Sequence, residues 1–115
     1  SNNTQYYYSR GNTKYNLELL EEAKKDYLKA LEVDSTNSGP LFNIGNIHFD
    51  KKEYEEAIKY YDKYLSIEKA DADAIVNRAI CKNALGFEKE ACEEWQKAAA
   101  LGNFDAKQNI EKFCK

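Results

Sequence analysis

The sequence has 115 residues, of which 43% are hydrophobic and 32% are charged, with only five Gly and one Pro. This length predicts a single domain, and many charges with few helix breakers favour solvent-exposed helices over a sheet. The formal net charge is −3 and no basic stripe is present, so we do not expect a nucleic-acid partner. No stretch has the roughly 20 consecutive apolar residues of a membrane span, so we do not expect a membrane partner either.

The N-terminus and the cysteines bear on where the chain works. Residues 1–3 are interpreted as a tag scar or a disordered N-terminus, and the absence of a secretory signal favours the cytoplasm unless a leader was removed. Cys81, Cys92 and Cys114 are an odd set without CxxC spacing, and each lies in an amphipathic helical pattern. We expect them to be free thiols that pack as small hydrophobes in a reducing compartment, with redox or metal chemistry as the open alternative.

Shifting the chain by 34 positions aligns small residues with small ones and aromatic residues with aromatic ones in three copies. Such self-similarity predicts a structural repeat. The small residues are expected to let the two helices of a copy approach closely, and the aromatic ones to fill the gap towards the next copy. The aligned sets are Gly11, Gly45 and Ala79, then Ala23, Ala57 and Ala91, then Tyr27, Tyr61 and Trp95.

Within one copy the apolar residues recur with the period of a helix. In the second copy they lie three or four apart on both sides of a break at Lys52-Glu53. Two helices of about 14 residues joined by a tight turn fit one 34-residue unit. The apolar positions are Leu41, Ile44, Gly45 and His48 before the break, and Tyr54, Ala57, Ile58, Tyr61 and Leu65 after it.

The segment LFNIGNIHFDKKEYEEAIKYYDKYLSIEKAD, residues 41–71, resembles the tetratricopeptide repeat (TPR) family nearly throughout. The first copy departs from the family pattern at Asn16-Leu17-Glu18, which lacks the usual turn glycine, whereas the third copy has Gly86. The end of the third copy, ACEEWQKAAALGNFDAKQNI, is also similar to the Sel-like relatives of the family and to bacterial TPR proteins. The resemblance implies an all-α, right-handed solenoid of three helix pairs and about seven helices in all. The implied repeats span residues 4–37, 38–71 and 72–105 of a single domain, 4–115.

Helix-ending signals agree with these boundaries. Asp71 and Asp73 are candidate caps for the third pair, and Gly102 follows the last long helix. Residues 104–114 form one more amphipathic pattern, which predicts a capping helix over the last repeat. Its apolar positions are Phe104, Ala106, Ile110, Phe113 and Cys114.

Nothing in the sequence indicates catalysis, a cofactor or a metal site. There is one histidine, no phosphate-binding glycine loop and no Ser-His or Cys-His arrangement. His48 is interpreted as a packing or surface residue, with a ligand or switch role as the alternative. The acidic doublets of the second helices are interpreted as solvated faces with weak ion pairs to lysines four residues on. We therefore expect a protein that is not an enzyme.

The family resemblance implies that the first helix of each pair lines a concave groove. The residues expected there are aromatic, amide-bearing or aliphatic and carry no charge. Asparagine can bond an extended peptide backbone, and aromatic side chains supply contact area, although some of them could instead pack between repeats. The candidate peptide-binding residues are Tyr8, Asn12, Tyr15, Phe42, Asn43, Asn46, Phe49, Val76, Asn77, Ile80 and Asn83.

One specificity of the family is not expected. TPR co-chaperones hold acidic C-termini with a carboxylate clamp of Lys, Asn, Asn, Lys and Arg. The corresponding residues here are Tyr8, Asn12, Asn43, Asp73 and Asn77, so all three cations are missing.

The sequence thus predicts a protein–protein interaction scaffold that binds a peptide or helical segment of a partner in its groove. The alternative is a structural assembly or self-association module within a longer repeat array. The protein is expected to be a monomer or a weak homo-oligomer.

Overall fold

A computed structural model describes residues 2–115, which within that range form seven helices and no strand. The prediction of an all-α solenoid of about seven helices is confirmed. Helix α1 begins two residues before the repeat boundary expected at residue 4, and Ser1, part of the expected tag scar, lies outside the described residues. The helices are α1 (Asn2–Asn16), α2 (Leu20–Val33), α3 (Ser38–Asp50), α4 (Tyr54–Ile67), α5 (Ala72–Ala84), α6 (Glu88–Ala100) and α7 (Phe104–Phe113).

The helices stack in chain order into an elongated array of 47 × 24 × 20 Å. Contacts are most extensive within the pairs α1/α2, α3/α4 and α5/α6, and each pair also packs on the next one. The first helices of the second and third pairs, α3 and α5, touch each other directly. Among the helices of residues 2–115, none is long and apolar enough to cross a membrane.

The turns within the pairs need a left-handed residue. Gly86 supplies it in the third pair with φ of 93°, whereas the non-glycine residues Glu18 and Lys52 adopt φ of 63° and 62° in the first two. The predicted cap at Asp71 is confirmed, since its side chain accepts a hydrogen bond from the Ala74 amide at 3.2 Å. Asp73 makes no such cap.

Glycines allow the two helices of a pair to meet. A Cβ atom on Gly11 would lie 2.7 Å from Cε1 of Tyr27, and one on Gly45 would lie 2.7 Å from Cε1 of Tyr61. Both tyrosines are fully buried. Their rings lie over the glycine of their own pair and also pack towards the next repeat, as the sequence pattern had suggested, since Tyr27 clusters with Ile44 of α3 and Tyr61 with Cys81 of α5.

The expectation that all three cysteines are free is wrong. Cys92 of α6 forms a disulfide with Cys114, which follows α7, with 5.9 Å between the Cα atoms. The two residues are 22 positions apart, and they meet only because α7 folds back on α6. Cys81 is free and buried as predicted, and burial raises the pKa of its thiol to about 12, which makes it unreactive.

Helix α7 lies against α6 at the end of the array. Ala106 is fully buried in the core of the third pair, and the ring of Phe113 stacks on Trp95 with 5.6 Å between centroids. Phe104, expected on the apolar face, is instead 68% exposed. The covering of the last repeat therefore depends on a short helix with one fully buried side chain and a disulfide at its end.

Candidate functional site

Asparagine and tyrosine side chains connect the first two pairs. The Tyr27 hydroxyl of α2 donates to Oδ1 of Asn12 on α1 at 2.6 Å. The Asn43 amide of α3 donates to the same oxygen at 2.9 Å and to the Tyr27 hydroxyl at 3.2 Å. This cluster fixes α1 beside α3 and places the asparagines side by side.

The arrangement recurs one repeat later. The Tyr61 hydroxyl donates to Oδ1 of Asn46 at 2.5 Å, and the Asn77 amide of α5 lies 3.4 Å from the same oxygen. Burial is the main cause that raises the pKa of both tyrosines, that of Tyr27 to about 12. The phenols therefore stay protonated and remain donors at neutral pH.

We call the linked residues Asn12, Asn43, Asn46 and Asn77 the asparagine ladder. The ladder ends in the third repeat. Trp95 takes the place of the tyrosines, and Ile80 takes the place of the accepting asparagine. The indole Nε1 of Trp95 is buried without a hydrogen-bond partner among the described residues. The tyrosine–asparagine hydrogen bond of the first two pairs therefore has no counterpart in the third pair.

The aromatic residues predicted for the groove are partly used in packing. Phe42 lies 5.1 Å from the Tyr64 ring and 6.1 Å from the Tyr61 ring, measured between centroids. Phe49 meets Tyr54 edge-on at 6.2 Å. The Tyr15 hydroxyl donates to Oδ2 of Asp50 at 3.2 Å, which links α1 to the end of α3.

Among the predicted residues, the asparagines of the ladder link α1 to α3 and α3 to α5. Val76 differs from the others because it is buried in the core, with 5% of its surface exposed. Each asparagine of the ladder bonds inside the protein, which reduces its capacity to bond a peptide. The predicted residues that are half-buried are Tyr8, Asn12, Tyr15, Phe42, Asn43, Asn46, Phe49, Asn77, Ile80 and Asn83.

Sequence reasoning missed a buried ion-pair network in the first pair. Asp26 is 2% exposed and accepts from Nη2 of Arg10 at 2.7 Å, with Nζ of Lys14 at 3.1 Å. Hydrogen bonding to Arg10 lowers the pKa of the Asp26 carboxyl despite its burial. These groups lie between the two helices of one pair, so their role is structural.

The third pair repeats this network, in which Glu94 pairs with Arg78 at 2.7 Å and with Lys82 at 2.6 Å. The middle pair replaces it with Ile44, His48 and Tyr60 at the same columns. The imidazole of His48 stacks on the Tyr60 ring at 5.8 Å, and its Nδ1 lies 2.8 Å from Oε1 of Glu53. His48 is buried and packs between helices, as predicted. The sequence signal for this network was an acidic residue at the repeat position shared by Asp26 and Glu94, together with two basic residues on the preceding helix.

The sequence matches the tetratricopeptide repeat family over residues 4–37 and again over residues 40–71, together more than half of the chain. The chain belongs to the tetratricopeptide repeat family. A comparison of the sequence with curated proteins finds no match.

Several solved structures with the same fold are TPR domains. The first TPR of Spaghetti (RPAP3), bound to the HSP90 peptide SRMEEVD, is 21% identical with a TM-score of 0.89 over 98% of this chain and 91% of that one. The Arabidopsis OM64 TPR domain is 20% identical with a TM-score of 0.88 over 97% and 94%. The second TPR domain of human RPAP3, in complex with the HSP70 peptide SGPTIEEVD, is 23% identical with a TM-score of 0.84 over 95% and 92%. At these identities the likeness concerns the fold.

Proposed function

We propose that the protein is a protein–protein interaction scaffold, not an enzyme, and that it holds a segment of a partner along the face of α1, α3 and α5. The observation that carries this proposal is the asparagine ladder, which sets polar side chains in register beside the half-buried Tyr15 and Phe49. The amide oxygens of Asn43 and Asn77 have no donor within the described part of the chain. They can accept from the backbone of an extended peptide.

Peptide binding is also supported by the fold. Two of the similar TPR domains are bound to peptides, the first TPR of Spaghetti to SRMEEVD and the second TPR domain of human RPAP3 to SGPTIEEVD. A segment of another protein is therefore the kind of ligand that we propose for this groove.

We propose a ligand other than an acidic C-terminus. Tyr8, Asp73 and Asn77 stand where the carboxylate clamp has cations. The Asp73 carboxylate is exposed and accepts from the Asn103 amide at 3.0 Å. A carboxylate at this position repels a terminal carboxylate rather than holding it.

Selection from a random-peptide display library tests the groove. Peptides enriched on the wild type are expected to lose binding to a Tyr15→Ala/Asn83→Ala variant that circular dichroism shows to be folded. They are expected to keep binding to Glu32→Ala/Glu55→Ala, a control on the exposed surfaces of α2 and α4. Peptides that bind the groove variant as well as the wild type would argue against this site.

Self-association is the second candidate function. Tyr6 is 56% exposed on α1, the first helix of the array, with the Arg10 guanidinium 5.1 Å from its ring centroid. Exposed aromatic side chains at the end of a repeat array can stack on a further repeat or a second copy. A concentration series in light scattering distinguishes the two functions, since a constant monomer mass rejects self-association and a rising mass favours it.

For the location of the protein we propose an oxidising compartment in place of the expected cytoplasm. The disulfide between Cys92 and Cys114 supports this proposal, because such bonds persist mainly where thiols are not kept reduced. Thiol counting by mass spectrometry on protein taken directly from its source tests it. Two alkylated thiols from Cys92 and Cys114 in addition to Cys81 would reject it.

A further inference from the structure

Carboxylates at the edges of the groove lack a basic partner within residues 2–115. Asp50 accepts only from the Tyr15 hydroxyl, and Asp73 accepts only from the Asn103 amide. Lys51, the residue after Asp50, is already paired with Glu21. In contrast, the buried acids between the helices of a pair are fully matched by arginine and lysine. The open face of the groove therefore keeps a negative charge that the protein itself does not neutralise.

A cleft of about 540 Å³ lies between the α1/α2 turn and the end of α3, and it shares Tyr15 with the proposed groove. Its lining combines an aliphatic side chain, a phenol ring, an amide and two exposed carboxylates, and no basic residue. Burial and the neighbouring Asp50 carboxylate raise the pKa of Tyr15 to about 12. The negative charge of Asp50 therefore acts on a group that lines the cleft. The lining residues are Tyr15, Asn16, Glu18, Leu20 and Asp50.

We propose that the partner segment carries a lysine or arginine whose side chain enters this cleft, an inference that rests on the proposed peptide-binding function. The methylene stem lies along Leu20 and the Tyr15 ring, as long cationic side chains do on apolar surfaces. The charged end meets the carboxylates of Asp50 and Glu18, which accept charge-assisted hydrogen bonds. The flanking apolar residues of the segment lie along α3 and α5, where Phe49 and Ile80 are half-buried.

The peptides selected on the wild type test this chemistry. We expect one position enriched in lysine or arginine, next to apolar positions. For a peptide of this kind, a Glu18→Gln/Asp50→Asn variant should weaken binding by roughly threefold to tenfold, the range typical of partly exposed ion pairs. A Glu32→Gln/Glu55→Gln variant changes the net charge equally on α2 and α4 and should leave the affinity unchanged.

The outcomes separate this inference from the function on which it rests. Peptides that depend on Tyr15 and Asn83 but show no basic preference, or an acidic one, would overturn the inference and leave the groove function in place. Equal weakening by both charge variants would also overturn it, since net charge alone would then explain the effect. A library that gives no groove-dependent peptide would overturn the proposed function and this inference together.

Discussion

At the scale of single residues, hydrogen bonds that the sequence pattern does not reveal decide the role of the groove asparagines. Alignment by 34 residues identified Gly45 and Tyr61 as repeat positions, but not that the ring covers the glycine. Nor did it indicate that Asn46 serves both Tyr61 and Asn77, because this depends on where two neighbouring repeats meet. Asn46 was therefore predicted only as a peptide ligand, whereas it also organises the fold.

Tyr61→Phe tests the asparagine ladder. The change removes a buried hydroxyl that donates to Asn46 and leaves that amide oxygen with a single weak donor. We expect the free energy of unfolding in urea to fall by about 1 kcal/mol. Tyr60→Phe is the matched control, since the Tyr60 hydroxyl makes no hydrogen bond within the described chain, and it should change stability little. Equal effects of the two substitutions would argue against the ladder.

The buried Asp26 makes the stability of the protein depend on pH. Its folded-state pKa lies below the ordinary aspartate value because of Arg10, so the stabilisation is present above a pH of about 4 and is lost as the pH falls through the folded-state pKa. Urea unfolding between pH 7 and pH 2 should show this loss as a fall in the free energy of unfolding. The slope of that free energy against pH should be smaller in Asp26→Asn. Asp105→Asn, an exposed control on α7, should retain the wild-type slope. An unchanged slope in Asp26→Asn would contradict this account.

At the scale of elements, helix periodicity and turn signals located the helix pairs, since each pair repeats the same local pattern. The sequence did not reveal that Cys92 and Cys114 are joined, because amphipathic spacing on two helices carries no information on how α7 folds back on α6. Helix α7 buries only Ala106 fully, so its attachment depends strongly on that covalent link.

Reduction of the disulfide should loosen α7. Opening a link between residues 22 positions apart is expected to lower the free energy of unfolding by about 2–4 kcal/mol. Hydrogen exchange should then speed up first at the amides of α7, while α1 to α4 stay protected. A Cys92→Ser/Cys114→Ser variant should be insensitive to the reductant. A reductant effect of the same size in that variant would contradict the role of this bond.

At the scale of the whole molecule, the proposed groove requires the stacking of three pairs, because each pair contributes a single first helix. The face therefore exists only where α1, α3 and α5 lie side by side, held by the asparagine ladder between them. The family resemblance implied such a face from the sequence, and it stays a prediction. The open carboxylates beside it were not recognised, because their lack of basic partners depends on the folded arrangement.

The most direct test of the central claim is an NMR titration of the ¹⁵N-labelled domain with one peptide from the display selection. We expect shift changes at amides of α1, α3 and α5, centred on Asn12, Asn46 and Asn77, with α2, α4 and α6 little affected. Shift changes confined to Tyr6 and Tyr7, to α7 or to the second helices of the pairs would contradict binding in the groove.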